Sequence, residues 1–234
     1  MHKILITGAS KGIGRTIAEE MKSCGEIFVS GRNEESLKTI GAQAYCVCDL
    51  ANNPEILGEF IQKNNIDILI NNAGEYIYGG IEKMDLIEIE KIHKTNLIAP
   101  AYLISRAIPF MKEQNFGRII NIGSISGVMG EANASLYSSS KAGLLGLTKA
   151  LALELAEYGI TVNTINPGWV DTELGNKSIE DSEFSKDEIL DCIPQRRFVH
   201  PQEIAKLVKY LISEDAKGIT GQGINLCAGL SVGI

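Results

Sequence analysis

"KILITGASKGIG", residues 3–14, decides the fold. Its first five residues form an apolar run short enough for a strand buried on both faces. A turn follows with glycines at Gly8, Gly12 and Gly14, and residues 12–24 then carry a helical pattern. A strand that breaks at such a turn into a helix leaves unpaired N–H groups and a partial positive charge at the helix start. Glycine permits positive φ and lets an anionic group, such as a pyrophosphate, approach the backbone. The G-x-x-x-G-x-G spacing differs from the G-x-G-x-x-G fingerprint and from the phosphate loop that ends in G-K-S/T.

Outward from this unit the same alternation repeats. Strands are predicted at 26–30, 44–48, 67–71, 117–123, 160–166 and 223–227, with helices at 33–40, 53–63, 85–112, 135–158 and 201–212. Strand–helix alternation with near-continuous apolar strands predicts an α/β fold: one Rossmann-type, doubly wound, parallel seven-stranded sheet with helices on both faces. No repeat, low-complexity segment or linker divides the chain, so residues 1–234 read as a single domain. Residues 172–198 are polar, contain no strand pattern and are too long for an ordinary connection. They read as a partly helical excursion over the carboxyl edge of the sheet, a substrate lid.

Composition narrows the function. The hydrophobic fraction is 44% and the net charge −7. A large core is expected, and the acidic surface argues against nucleic acid and membranes as partners. No apolar stretch approaches the length of a membrane span, and the amino terminus begins at once with a strand pattern rather than a signal peptide. The five cysteines, Cys24, Cys46, Cys48, Cys192 and Cys227, are scattered, and His2, His93 and His200 fit no ligand spacing. Reduced thiols, no metal site and a cytoplasmic location are the expectations.

"YSSSK", 137–141, sets a phenol and an ammonium one helical turn apart on one face. A nearby cation favours phenolate and lowers the phenol pKa, which suits proton transfer. With "TGASKGIG" (7–14), "NNAG" (71–74), Asn96 in "KTNL", Ser124 in "NIGSISG" and "NPGWVDT" (166–172), the chain resembles the short-chain dehydrogenase/reductase family over nearly its whole length. The resemblance implies that Tyr137 passes a proton to or from the substrate oxygen and that Lys141 also bonds a cofactor ribose. It further implies that Ser124 orients the carbonyl and that Asn96 holds a water against the lysine. It assigns cofactor contacts to the loop residues Gly8, Ser10, Lys11, Gly12, Ile13 and Gly14. Asp49 and Leu50 fall at the adenine, Asn72, Ala73 and Gly74 along the cofactor, and Pro167, Gly168, Val170 and Thr172 around the nicotinamide.

The end of the second strand chooses the nicotinamide. The resemblance to the family implies that the position where NAD enzymes carry an acid is Gly31, and Arg32 follows at once, with Lys11 a second cation. A guanidinium suits a 2′-phosphate, so NADP(H) is the expected cofactor. The chain is most similar to 3-oxoacyl-carrier-protein reductases and polyketide ketoreductases, which implies reduction of a 3-oxoacyl thioester. The alternatives are a dehydrogenase of a free secondary alcohol, sugar or steroid, and an NADP-binding sensor or scaffold without activity. Two departures count against a carrier protein as partner. Asn115 with Phe116, and Glu157 with Tyr158, stand where such reductases often have basic residues, which leaves Arg196 and Arg197 for that role. Trp169 and Phe184 are expected in an apolar pocket wall, and the family implies a homotetramer.

Overall fold

Ile4 and Ile6 enter one hydrophobic core while Leu5, between them, enters another. This alternation is what a strand covered on both faces requires. The computed structural model describes residues 1–181 and 184–232. Its strands are β1 (His2–Ile6), β2 (Gly25–Gly31), β3 (Ala44–Val47), β4 (Ile68–Asn71), β5 (Gly117–Ile122), β6 (Ile160–Pro167) and β7 (Gly223–Leu226). They form one sheet in the order β3-β2-β1-β4-β5-β6-β7, every neighbouring pair parallel.

The first helices are α1 (Gly12–Met21), α2 (Glu34–Lys38), α3 (Pro54–Asn64), α4 (Leu86–His93) and α5 (Ala99–Gln114). After β5 come α6 (Ser126–Met129), α7 (Ser135–Leu155), α8 (Glu173–Asp181), α9 (Lys186–Cys192) and α10 (Pro201–Leu211). Helices α1 and α10 bury Ile17, Met21, Ile204, Val208 and Leu211 against one face of the sheet. Helices α3, α5 and α7 bury Leu57, Ile61, Leu103, Met111 and Leu155 against the other. The chain turns from β1 towards β2 on one side and places β4 on the other, so a crevice opens at the carboxyl ends of β1 and β4.

The predicted 85–112 helix departs from expectation: it is two α-helices joined by a wider π turn at Lys94–Ile98. Pro100 explains the interruption. It has no N–H to donate to the carbonyl of residue 96, and Ala99 donates instead to Lys94, five residues back. The excursion after β6 is partly helical, as α8 and α9; its residues 182 and 183 lie outside the described residues.

A polar seam fixes α7 against the sheet. Asn71 donates to Asn121 (2.9 Å), Asn121 donates to Thr148 (3.0 Å), and Thr148 and Thr164 share a 2.6 Å hydrogen bond. All four are buried, so the seam allows few alternative registers of α7 over β4, β5 and β6.

Candidate active site

The loop after β1 is built to bring backbone to a ligand. Gly8 and Gly12 have φ of +66° and +56°, where glycine is favoured. Gly14 has no room for a side chain: a Cβ there would lie 2.4 Å from both Asn72 Nδ2 and the Gly8 carbonyl. Asn72 donates through Nδ2 to the carbonyls of Thr7 (2.9 Å) and Gly8 (3.3 Å). Thr7 Oγ1 accepts from the backbone N–H groups of Asn72 and Ala73 (2.9 and 3.0 Å). The two strands on either side of the crevice thus hold one another's exits. Thr7 escaped the motif reading because its partners are more than 60 residues away.

The loop opens onto a cavity of about 820 Å³. Of the residues singled out from sequence, all the cofactor candidates line it, together with Ser124, Tyr137, Lys141, Trp169 and Phe184. Asn96 does not: it is 1% exposed beneath the wall. Its Oδ1 accepts from the N–H of Glu75 (2.8 Å), and its Nδ2 donates to the carbonyl of Glu75 (2.9 Å) and to Ser140 (3.0 Å). The structure therefore gives Asn96 a clamping task on the chain after β4. Its Oδ1 and Lys141 Nζ would each lie 3.3 Å from a Cβ at Gly74, which keeps that glycine bare.

At the cavity floor Tyr137 and Lys141 share one face of α7. Lys141, 4% exposed, donates to the Ile122 carbonyl (2.8 Å), and its Nζ lies 5.7 Å from the Tyr137 ring centroid. Burial pushes the Lys141 pKa down to about 8. The Tyr137 phenol moves against expectation. Burial pushes it up to about 12, a hydrogen bond with Ser124 pulls the other way, and the Glu131 charge adds to the rise. The lysine was expected to lower this pKa, but its ammonium is engaged with Ile122 and the cost of burying phenolate dominates.

Around this pair lies a network that no motif announced. Ser124 donates to Ser126 Oγ (3.2 Å), Ser126 donates to Glu131 Oε2 (2.6 Å), and Tyr76 donates to Glu131 Oε1 (2.7 Å). The Tyr76 ring meets Tyr137 edge-on, centroids 5.0 Å apart. Glu131 sits in a loop 55 residues from Tyr76, so sequence spacing carries no sign of the pairing.

The expected phosphate cations are already paired. Arg32 reaches Glu75 at 3.2 Å and Lys11 reaches Glu173 at 2.9 Å. Glu75 also pairs with Lys91 at 3.2 Å. A Cβ at Gly31 would lie 2.9 Å from Ser10 Oγ, so the position where an acid would select NAD is crowded. Asp49 accepts from Ala51 N–H and from Asn52, both at 3.0 Å. Thr172 caps the start of α8 by accepting from Gly175 N–H (3.1 Å).

Glycine-built approach, a switch-point crevice and a half-buried phenol beside an ammonium place the molecule among the dinucleotide-dependent oxidoreductases. The family model described as enoyl-(acyl carrier protein) reductase matches residues 8–231, and the chain belongs to the short-chain dehydrogenase/reductase family. It is 38% identical to 3-oxoacyl-(acyl-carrier-protein) reductase FabG of Rickettsia prowazekii (strain Madrid E), over 97% of this chain and 95% of that protein. It is 36% identical to the granaticin polyketide synthase putative ketoacyl reductase 1 of Streptomyces violaceoruber, over 97% and 92%. Among solved structures it superimposes on a tryptophan variant of actinorhodin polyketide ketoreductase with NADPH, with a TM-score of 0.91 and 35% identity, covering 99% of this chain and 97% of that one.

Among the described residues, no group of three or more His, Cys, Asp or Glu side chains is placed to hold a metal ion. None of the described helices is long and apolar enough to cross a membrane.

Proposed function

We propose that the protein reduces a ketone to a secondary alcohol with NADPH, and that its substrate is a 3-oxoacyl thioester or a close relative. The observation that carries this reading is the half-buried Tyr137 phenol, which lines the cavity together with Ser124 and Lys141, the Lys141 Nζ 5.7 Å from its ring centroid. At neutral pH the phenol carries a proton that it can give to a carbonyl oxygen. The relatives named as ketoreductases, and the neighbour solved with NADPH, support the same direction.

The residues present fit the dinucleotide. Gly8 and Gly14 let the loop pack closely on Asn72 and Ala73, and Gly12 keeps its positive φ, which leaves backbone N–H groups at the start of α1 for a pyrophosphate. In this reading Arg32 and Lys11 leave their glutamate partners for a 2′-phosphate, and Lys141 bonds a ribose hydroxyl. When bound, the nicotinamide supplies the hydride. Tyr137 gives its proton to the carbonyl oxygen, and Ser124 turns its hydroxyl from Ser126 to that oxygen and steadies the growing negative charge. Asn96 holds the Glu75 segment and through it the cavity wall.

Among the described residues, the two arginines that would grip an acidic carrier protein, Arg196 and Arg197, are already engaged. Arg196 pairs with Asp191, and Arg197 makes two hydrogen bonds to Glu203 (2.7 and 2.9 Å). A small thioester therefore suits the site better than the carrier-bound form. A cytoplasmic homotetramer of single-domain subunits, each with its lid at 172–198, completes the reading, and light scattering tests the assembly.

The decisive assay follows NADPH oxidation with acetoacetyl-CoA, neutral diketones and, in reverse, secondary alcohols and sugars. Turnover of acetoacetyl-CoA that falls at least ~100-fold in Tyr137→Phe supports the proposal. Turnover of free alcohols alone makes the protein a dehydrogenase, and no turnover of any substrate with intact NADPH binding makes it a sensor or scaffold.

A further inference from the structure

The charges lining the cavity divide into two groups. Lys11, Arg32 and Lys91 each sit against a carboxylate, Glu173 or Glu75, at the cofactor end. Lys141 is tied to the Ile122 carbonyl. Glu131 differs from the other carboxylates of these pairs. Its two oxygens are held by the neutral hydroxyls of Ser126 and Tyr76, and among the described residues no ion pair includes it. It is half-buried, lines the cavity, and stands one hydroxyl away from Ser124. Hydroxyl donors hold a carboxylate in place without neutralising it. The wall beside Ser124 therefore carries a negative charge that no ion pair among the described residues neutralises, in a partly desolvated setting where Coulomb interactions are weakly screened, while the Lys141 ammonium lies beside Tyr137 on α7.

From this geometry we propose that Glu131 is the specificity-determining residue that confines the reaction to ketones bearing no negative charge near the reacting carbon. An acyl thioester or a diketone meets this condition, and a free oxo acid does not. The inference rests on ketone reduction at Tyr137 and adds a rule for what that site rejects.

Two probes of nearly the same shape test it: 2,4-pentanedione, neutral, and acetoacetate, which replaces one acetyl end by a carboxylate. At saturating NADPH the native protein is expected to favour the dione in kcat/KM by about tenfold or more. Glu131→Gln, which keeps one acceptor oxygen for Ser126 or Tyr76 but removes the charge, is expected to shrink that ratio by about tenfold, chiefly through the KM of acetoacetate. Glu131→Asp is expected to retain the preference. Equal losses on both substrates in Glu131→Gln, with the ratio unmoved, would mean a positioning role only and overturn the proposal. Should Glu131→Gln not fold, salt decides with the native protein. Raising ionic strength is expected to improve acetoacetate relative to the dione, and an unchanged ratio overturns the proposal. A native protein that reduces the dione and acetoacetate alike refutes this inference alone, whereas one that reduces no ketone refutes the proposed function beneath it.

Discussion

Arg32 at the end of β2 and Glu75 after β4 form an ion pair of 3.2 Å across the mouth of the crevice. The guanidinium that a 2′-phosphate would recruit already has a counter-ion, and the two anions compete for it. Glu75→Gln is expected to lower the KM for NADPH several-fold, and Arg32→Asp to raise it by about tenfold or more while leaving NADH less affected. Steady-state kinetics with both nucleotides checks this. An unchanged NADPH/NADH ratio in both variants would remove Arg32 from cofactor selection.

Gly14→Ala places a methyl group 2.4 Å from the Gly8 backbone carbonyl and from Asn72 Nδ2, which its hydrogen bonds to the Thr7 and Gly8 carbonyls hold in place. The expected result is a loss of about 2–3 kcal/mol in stability together with loss of dinucleotide binding. Gly146→Ala, in α7 where a Cβ meets open space, serves as the control and is expected to be neutral or stabilising. Thermal melts with and without NADPH distinguish the two.

The phenol at about 12 and the ammonium at about 8 give a directional pH profile. Tyr137 stays protonated through the neutral range, so the rate of ketone reduction is expected to be flat from pH ~6 to ~7.5. Alcohol oxidation needs the phenolate and is expected to rise with pH over the whole accessible alkaline range. A reverse reaction that falls with rising pH would contradict the assigned proton donor.

Glu203 accepts two hydrogen bonds from Arg197 and one from His200 N–H at the start of α10, and its pKa is held down at about 2, chiefly by Arg197. A carboxyl depressed in the folded state stabilises the fold at pH above its ordinary value and loses that contribution as pH falls through its folded value. Glu203→Gln is expected to cost about 1 kcal/mol at neutral pH, a figure reduced for the third of the side chain that water reaches. The difference from the native protein should shrink between pH ~4.5 and ~2. Denaturant melts across that window supply the check.

Thr148→Val removes the centre of the seam between α7 and the sheet. It leaves Asn121 Nδ2 and Thr164 without partners and is expected to destabilise by about 1–3 kcal/mol. If α7 shifts, Tyr137 and Lys141 move with it, so kcat should fall further than a loss of stability alone explains. Activity measured well below the melting temperature separates the two effects.

The fold was legible because its signals are local. The alternation of Ile4, Leu5 and Ile6 between two cores, and the glycine turn that opens α1, depend on neighbours in sequence. Residues with a fixed chemistry at a fixed spacing, such as Tyr137 and Lys141, were legible for the same reason. The π turn was not: it follows from the missing N–H of Pro100 acting on a carbonyl inside a pattern that otherwise reads as one helix. Glu131 and Tyr76 were invisible because each is unremarkable in its own segment and acquires a role only where two distant loops meet. The direction of the Tyr137 pKa was misjudged because helical spacing shows the cation and says nothing of how dry the site is.

The irregular turn around Asn96 has a consequence for anyone redesigning this molecule. Restoring an N–H at position 100 would invite the helix to tighten, and a one-residue slip in an α-helix rotates a side chain by roughly 100°. Asn96 would then let go of the segment that carries Glu75, and the counter-ion of Arg32 would drift. Nucleotide preference is therefore open to adjustment from a proline with no contact to any phosphate, a handle that inspection of the binding groove alone would miss.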